Sequence, residues 1–548
     1  MAELQFTPVD DIEKIRDDLK AGFASGKLRD IVYRKYQLTQ LMYAVKDNLE
    51  AFEQTLQKDL GRPIVESRLL ELVAIINEFK NLHKNVDKWA KPEKMPFSLN
   101  WSPMKPIVRK EPKGTVLVIG PFNYPLWCSL GPVAGAIAAG CTVLLKPSEQ
   151  TPATTALLTE VIHKYLDHDV FRIVNGGIPE TTKVLELQWD HSSGRVGKIV
   201  ATAAAKHLTP VTLELGGKSP VIVDSSCDVK LTAKRLLWGK AANAGQTCVA
   251  PDYVLVPRDF QDTLVNAFKD AYNEFYPNGD TSVAGSYGRL VSEAATERVG
   301  KMIQGSKGNI FAGGSISKDT KYIPPTLVKN VSGDDSLMTD EIFGPVLPIV
   351  PVENIDEAIK YVNDRPHPLA LYVFAKDNQV KKKILENTQS GGFVANDVLL
   401  LPGAEGMPFG GTGSSGYGFH TGKYSFDTFT HLRSTLDSPS WVDLVLSFRF
   451  PPYTDKKAAA ALKMLGSLPS RPKGPPGVGG NSWWGKGFIV ALAVATSREE
   501  LRSLFDFQPG ILLGSPPLLR PFVNIIFFKS ASAFFVSVNV LDATILCI

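Results

Sequence analysis

A run of β-branched and aliphatic residues, Thr115-Val-Leu-Val-Ile119, constrains this chain more than any other stretch. It has no polar alternation, so it reads as a strand buried on both faces, and such strands belong to parallel sheets. The residues after it fit. Gly120-Pro-Phe-Asn-Tyr-Pro125 makes a turn, a helix follows whose small residues include Gly131, Ala134, Gly135, Ala136, Ala138 and Ala139, and Thr142-Val-Leu-Leu145 makes a second strand. Together they form a βαβ unit, and the loop after the first strand of a doubly wound sheet is where nucleotides bind. That loop has no GxGxxG. The one literal match, Gly411-Thr-Gly-Ser-Ser-Gly416, follows Met407-Pro-Phe rather than an apolar strand, so a flexible loop is the better reading there.

With 548 residues the chain has room for two or three domains with large cores. Its charge gives no sign of a nucleic-acid partner: the formal net charge is only +4, and basic residues are interleaved with acidic ones, as in Asp10-Asp-Ile-Glu-Lys-Ile-Arg-Asp-Asp-Leu19. Five cysteines (Cys128, Cys141, Cys227, Cys248, Cys547) without CxxC spacing argue for a reducing compartment and against a zinc site or disulfide scaffold. The eight histidines are scattered, and no metal is expected. The first ten residues are acidic and lack a secretory pattern, which points to the cytoplasm. Amphipathic helices are expected from about residue 11 to 91, where Ile12, Ile15, Leu19 and Phe23, then Leu38, Leu41, Met42 and Val45, recur at helical spacing.

The chemistry concentrates at Ala241-Ala-Asn-Ala-Gly-Gln-Thr-Cys-Val249. A thiol after Gly, Gln and Thr sits in a tight turn whose amide N–H groups can lower its pKa and hold an oxyanion. Taken alone, Cys248 is more often one further buried small residue. Upstream, Val211-Thr-Leu-Glu-Leu-Gly-Gly-Lys-Ser-Pro220 sets one carboxyl, Glu214, in an apolar strand-like run. Desolvation there would raise its pKa and suit it to general-base work, although an edge-strand charge would look the same.

Leu213-Glu-Leu-Gly-Gly-Lys218 followed by Gly245-Gln-Thr-Cys248 resembles the aldehyde dehydrogenase superfamily, and the resemblance runs from about residue 11 to 465. Tyr33-Arg-Lys-Tyr-Gln-Leu38 and Asp59-Leu-Gly-Arg-Pro63 are similar to its class 3, fatty-aldehyde branch. The resemblance implies an α/β fold with a Rossmann-type cofactor domain, an α/β catalytic domain and an extended oligomerisation arm. The implied division is a helical part of the cofactor domain at 1–97, the arm at 98–111, the NAD-binding domain at 112–213 and the catalytic domain at 214–420. A closing and oligomerisation segment at 421–466, a Pro/Gly linker at 467–482 and a hydrophobic tail at 483–548 follow.

By the same resemblance Cys248 is the nucleophile, Glu214 activates water, and Asn123 joins the Cys248 N–H in holding the oxyanion. Lys146 and Glu149 would hold the adenosine ribose, Glu341 the nicotinamide ribose, and Phe343 would pack against the cofactor. Gly194 opens a helix facing it. Without the resemblance, Asn123 reads as a turn-former, Lys146 as a strand-end charge and Glu341 as a capping or surface residue. NAD is the implied cofactor, with NADP as the alternative. The implied substrate is a medium- or long-chain aliphatic aldehyde, and the implied assembly a homodimer.

Two features depart from the family. Between His191 and Ser192 roughly five residues of a cofactor-sheet strand are absent, about 16 Å of chain at ~3.3 Å per residue. Either residues 185–191 are pulled into the strand position, or the cofactor site is damaged. The tail contains Trp483-Trp-Gly-Lys-Gly-Phe-Ile-Val-Ala-Leu-Ala-Val-Ala495 and an apolar stretch at 511–548 broken by Arg520, Lys529 and Asp542. Its first apolar part is short of the ~20 residues a span needs. A membrane anchor facing the cytosol is the favoured reading, against a translated non-coding tail. Two rivals to aldehyde oxidation follow: a relative that passes its thioester to coenzyme A, and a catalytically impaired, membrane-tethered homologue.

Overall fold

Thr115–Ile119 is the central strand of a six-stranded sheet in this computed structural model. The structure describes residues 3–193, 197–277, 281, 286–471 and the backbone of three strands, Ile525–Ser530, Ala533–Val540 and Ala543–Cys547. The chain divides into two units, Met1–Pro451 and Pro452–Ile548.

Across the sheet the strands stand Phe171–Ile173, Thr142–Lys146, Thr115–Ile119, His191–Ser193, Val211–Glu214 and Gly416–Tyr417. The first five are parallel and the last antiparallel. In chain order the parallel strands read 3-2-1-4-5, a Rossmann order with its switch point between Thr115–Ile119 and His191–Ser193. Helices Trp127–Ala139, Pro152–Tyr165, Ile178–Glu186 and Gly197–Ala205 make the crossovers. Alternation along the strands supplies two cores. Val116, Val118, Val143 and Leu145 pack with Leu130, Val133 and Ile137, while Leu117 and Leu144 pack with Ile12 and Leu19 on the other face. Each such side chain contributes roughly 1.5–3 kcal/mol by leaving water.

The deficit at His191 does not leave the strand slot empty. His191 lies opposite Val116, Ser192 opposite Leu117 and Ser193 opposite Val118, and Ser192 and Ser193 pair with Val211 and Thr212. Residues 185 and 186 remain in their helix, so the slot is filled from both sides of the gap rather than by pulling the helix out. Gly194 lies outside the described residues.

A separate α/β layer is built on a seven-stranded sheet, in the order Asn309–Ala312, Thr326–Lys329, Val346–Val352, Tyr253–Pro257, Pro220–Val223, Ala370–Phe374 and Gly392–Ala395. Only the first of these is antiparallel to its neighbour. Helix Gln261–Phe275 packs Leu264, Val265 and Phe268 into the same core as Val254 and Val256 of this sheet. A small antiparallel sheet joins Glu93–Lys94, Ile107–Pro112 and Thr430–Thr435, so the Pro-interrupted arm pairs with the closing segment.

The expected N-terminal helices appear as Asp11–Ala24, Ile31–Lys46, Leu49–Leu60 and Val73–Trp89. Asp30 caps the second by accepting from Val32 N, and Gly61, at φ +63°, ends the third. The last is preceded by a π-helical turn, Arg68–Leu72.

Residues 411–416 are not a flexible loop. Gly413–Ser415 forms a 3-10 turn, and Gly416 then lies opposite Glu214 as an edge strand. At φ +122°, a Cβ on Gly416 would stand 1.9 Å from the Leu213 carbonyl oxygen, so only glycine permits the approach.

In the second unit, helix Asp455–Leu462 is capped by Thr454, and Ile525–Ser530, Ala533–Val540 and Ala543–Cys547 form an antiparallel sheet. The expected membrane anchor is thereby corrected. Among the described residues no helix is long and apolar enough to cross a membrane. The reason is legible in Phe534-Phe-Val-Ser-Val-Asn-Val540, whose aromatic and β-branched residues favour strand, with Lys529 and Asp542 interrupting the run. Residues 483–495 lie outside the described residues.

Candidate active site

The strand-end loop after Ile119, the end of strand Val211–Glu214 and the turn before Cys248 converge on one cavity of about 620 Å³. Asn123, Glu214 and Cys248 all line it, so the three expected catalytic residues, far apart in sequence, share one space. Most of its remaining wall is apolar, including Leu69, Val73, Trp127, Trp238, Phe409 and Phe419.

Cys248 is half-buried and follows a 3-10 segment, Ala242–Gly245, whose last three residues are left-handed, at φ +51°, +51° and +71°. Gly245 makes this possible: a Cβ there would lie 2.2 Å from the Gly344 carbonyl oxygen, so the nucleophile turn sits directly against the turn that carries Glu341 and Phe343. Glu214 is half-buried as a residue, yet both carboxylate oxygens are sealed and accept no hydrogen bond from the protein. Burial therefore raises its pKa well above the ordinary carboxylate value. A carboxyl in that state can take a proton at neutral pH and return it. Asn123 is 2% exposed, and its backbone carbonyl accepts a hydrogen bond from Asn243 Nδ2 at 2.9 Å.

The expected cofactor residues fall into two groups. Lys146, at the end of strand Thr142–Lys146, is buried and pairs with Glu149 at 2.7 Å. Glu341 and Phe343 line a second cavity of about 330 Å³ together with Phe122, Gln150, Gln246 and Arg298. Phe343 meets Phe122 edge-on at 5.9 Å, and the Glu341 carboxylate lies so close to Gly216 that a Cβ there would stand 2.2 Å from it. A dinucleotide fits these residues: the strand ends open at a Rossmann switch point, with a buried cation, a hydroxyl-accepting carboxylate and an aromatic pair beside it.

Sequence reading missed the supports. Asp252 accepts from Lys218 Nζ at 2.7 Å and from Ile342 N at 3.2 Å, and Lys218 also donates to the carbonyls of Leu337 and Asp340, which fixes the turn ahead of Phe343. The signal was available, since Lys218 closes the Leu-Gly-Gly-Lys motif. Glu78 also lines the aldehyde-side cavity and accepts from Gly422 N at 2.7 Å; burial, reinforced by the charge of Glu405, pushes its pKa up to about 7. His191 is buried between Lys113 (3.2 Å) and Thr212 (3.1 Å), and burial, then Lys113, lowers its pKa to about 3.

A Rossmann-ordered sheet beside a cavity that holds a thiol, an amide and a sealed carboxyl defines a dinucleotide-dependent oxidoreductase as the class. The model of the aldehyde dehydrogenase family matches residues 1–435. The chain is 42% identical over 458 residues to Aldehyde dehydrogenase family 3 comG of Dictyostelium discoideum, covering 83% of this chain and 97% of that one. It is 41% identical over 459 residues to Aldehyde dehydrogenase family 3 member B1 of Rattus norvegicus, with the same two coverages of 83% and 97%. Among solved structures, Staphylococcus aureus AldH in its substrate-bound state superposes with a TM-score of 0.79 at 38% identity, covering 83% of this chain and 99% of that one. The chain belongs to the aldehyde dehydrogenase family, close to its class 3 branch. It is an NAD(P)-dependent enzyme that oxidises aldehydes.

Proposed function

We propose that the chain oxidises medium- to long-chain aliphatic aldehydes to carboxylic acids through a covalent intermediate on Cys248. The observation that carries this reading is the meeting of Cys248, Asn123 and an unpartnered Glu214 carboxyl on one largely apolar cavity. The Cys248 thiolate attacks the aldehyde carbon, and the Asn123 amide with the Cys248 N–H holds the oxyanion of the thiohemiacetal. Bound NAD(P) supplies the acceptor for the hydride that leaves this carbon. A thioester on Cys248 results. Glu214 takes a proton from a water, the hydroxide attacks the thioester, and the carboxylic acid leaves with the thiolate restored.

On the cofactor side, Lys146 and Glu149 would hold the adenosine ribose, Glu341 the nicotinamide ribose, and Phe343 would pack against the cofactor. Apolar residues at the cavity lip, Leu69 (59% exposed), Val73 (49%) and Leu400 (52%), support an extended aliphatic chain.

The test is reduced-cofactor formation by Cys248→Ser beside the parent chain, with NAD and a long-chain aldehyde. Turnover is expected to fall on the order of 10⁴-fold. The acid should appear without coenzyme A; a requirement for it would move the reading to acyl transfer. We further infer a homodimer built on the arm at 98–111 and the closing segment at 421–466. Support comes from Thr430–Thr435, an edge strand of their shared sheet, where Leu432 is exposed. Light scattering should give twice the chain mass.

A further inference from the structure

A fully enclosed arginine ties together the two loops from which the oxyanion site is built. Arg62 has 0% exposure. Its Nη1 pairs with the Glu71 carboxylate, its Nη2 donates to the Asn123 backbone carbonyl, and Nε and Nη2 donate to Asn243 Oδ1 at 3.1 and 3.0 Å. The guanidinium also lies over the Tyr124 ring, 4.8 Å from its centre. Asn243 closes the loop. Its Nδ2 donates to the Asn123 carbonyl at 2.9 Å and to the Gln246 carbonyl at 3.0 Å.

The outer ends of this network are fixed as well. The second oxygen of Glu71 accepts from the backbone N–H of Leu126 at 2.6 Å and of Trp127 at 3.1 Å. Glu71 itself lies in the π-helical turn Arg68–Leu72, a local form that recurs at functional sites. Glu66 accepts from Asn243 N at 2.9 Å, and Tyr124 shares a hydrogen bond of 2.9 Å with Thr247, the residue before Cys248.

We propose that Arg62 is a positioning residue for aldehyde oxidation: with Asn243 it holds the Asn123 backbone and the turn before Cys248 in one register, so that both oxyanion donors point at the same place. The inference rests on the reading of Asn123 and the Cys248 N–H as those donors. Two observations make a clamp necessary. Asn243 and Ala244 adopt left-handed backbone that L-residues disfavour, so the turn needs support from outside itself. The two donors also come from different loops, and oxyanion stabilisation tolerates misplacement of only about 0.5 Å. A single planar fork serves here because it reaches Glu71, Asn123 and Asn243 at once, which a lysine ammonium on one flexible stem does not reproduce.

The competing account is that Arg62 only fastens the N-terminal helices to the sheet. The two differ in a double-mutant cycle on the full chain, using Arg62→Met and Asn243→Gly, each alone and combined with Asn123→Ala. The readouts are the rate of the first turnover, the half-saturating aldehyde concentration and the thermal shift on adding NAD. Asn123→Ala is expected to slow the first turnover by about 10²- to 10³-fold. Each of the other two should slow it about 10- to 100-fold, with half-saturation moved less than about threefold and the NAD shift kept. Added to Asn123→Ala, either should cost clearly less than it does in the parent chain, because one of the two donors it positions is already gone.

Losses that multiply would make Arg62 a general fastening and overturn the inference, as would single variants with parental first-turnover rates. Asn243→Gly tolerates the φ of +51° and leaves the Arg62–Glu71 pair intact, so it decides the matter if Arg62→Met does not fold. Parental activity in Asn123→Ala alone would remove the oxyanion reading, and the inference with it.

Discussion

Two glutamates whose carboxylates are sealed from solvent show opposite uses of one side chain. Glu71 is 0% exposed and fully engaged, by the Arg62 guanidinium on one oxygen and by the N–H groups of Leu126 and Trp127 on the other. Glu214 has both oxygens sealed and no donor from the protein on either. A carboxylate with both oxygens bonded is a tie between elements, and it is costly to disturb. One with no partner is costly to ionise, and it persists in a folded protein where chemistry requires a proton to come and go. Since more than about 90% of buried polar groups are paired, the orphan rather than the satisfied carboxylate is the one that the proposed mechanism uses as its base.

The largest effect that would break this contrast is on stability. Glu71→Gln keeps the shape and an oxygen for Leu126 and Trp127 but turns an amide N–H₂ toward Arg62, leaving a buried cation without its counter-charge. The expected loss is about 3–5 kcal/mol in denaturant unfolding, the range for breaking one partner of a buried pair. A variant as stable as the parent chain would show that Glu71 is not a tie, and the first half of the comparison would fail.

What the sequence revealed follows the same division. Glu214 and Cys248 stand in short motifs whose neighbours carry their own meaning, and the strands Thr115–Ile119 and Tyr253–Pro257 announce themselves by continuous apolar residues. Glu71 was silent. Its partners lie 9 residues away at Arg62 and 55 at Leu126, and Asn243 is 181 residues from Arg62, so no local pattern connects them. The strand at His191–Ser193 was hidden for another reason. Its residues have little strand character of their own, and the slot is defined by the strands on either side. Gly416–Tyr417 escaped notice likewise, because its glycine reads as looseness whereas it serves close approach to Leu213. At the C-terminus, hydrophobicity was read as an anchor when its β-branched, aromatic pattern favoured strand.

Next in size is the effect on rate. Glu214→Gln removes the base while keeping the volume, and hydrolysis of the thioester is expected to slow by about 10²- to 10⁴-fold. The first turnover should survive, so the variant should release one burst of reduced cofactor and hold an acyl group on Cys248, visible as added mass on the intact chain. Stability should not fall as it does for Glu71→Gln, since no donor in the protein loses its acceptor. An equal slowing of the first turnover would mean that Glu214 also serves the attack of the thiol.

The smallest effect is the dependence of stability on pH, which tests the state of the Glu214 carboxyl directly. Burial holds the folded pKa of Glu214 well above its ordinary value of 4.5. Between that value and the folded pKa, the folded chain keeps a proton that the unfolded chain has lost, so stability falls as pH rises through the window and levels off above it. One such group contributes at most about 1.4 kcal/mol per pH unit. Glu78, pushed up to about 7 by burial and by Glu405, adds a component of the same sign. His191, lowered to about 3 by burial and Lys113, and His420, lowered to about 4 by burial, act oppositely, costing stability as pH falls below 6.5. All three persist in Glu214→Gln, so subtracting its unfolding free energies from those of the parent chain isolates Glu214. The difference should decline with rising pH and level off at the folded pKa, where thioester hydrolysis by the parent chain should also reach its plateau, because above it Glu214 is ionised in the folded chain as well. A flat difference would mean that Glu214 binds its proton equally in both states, and would remove it as the desolvated base of the comparison.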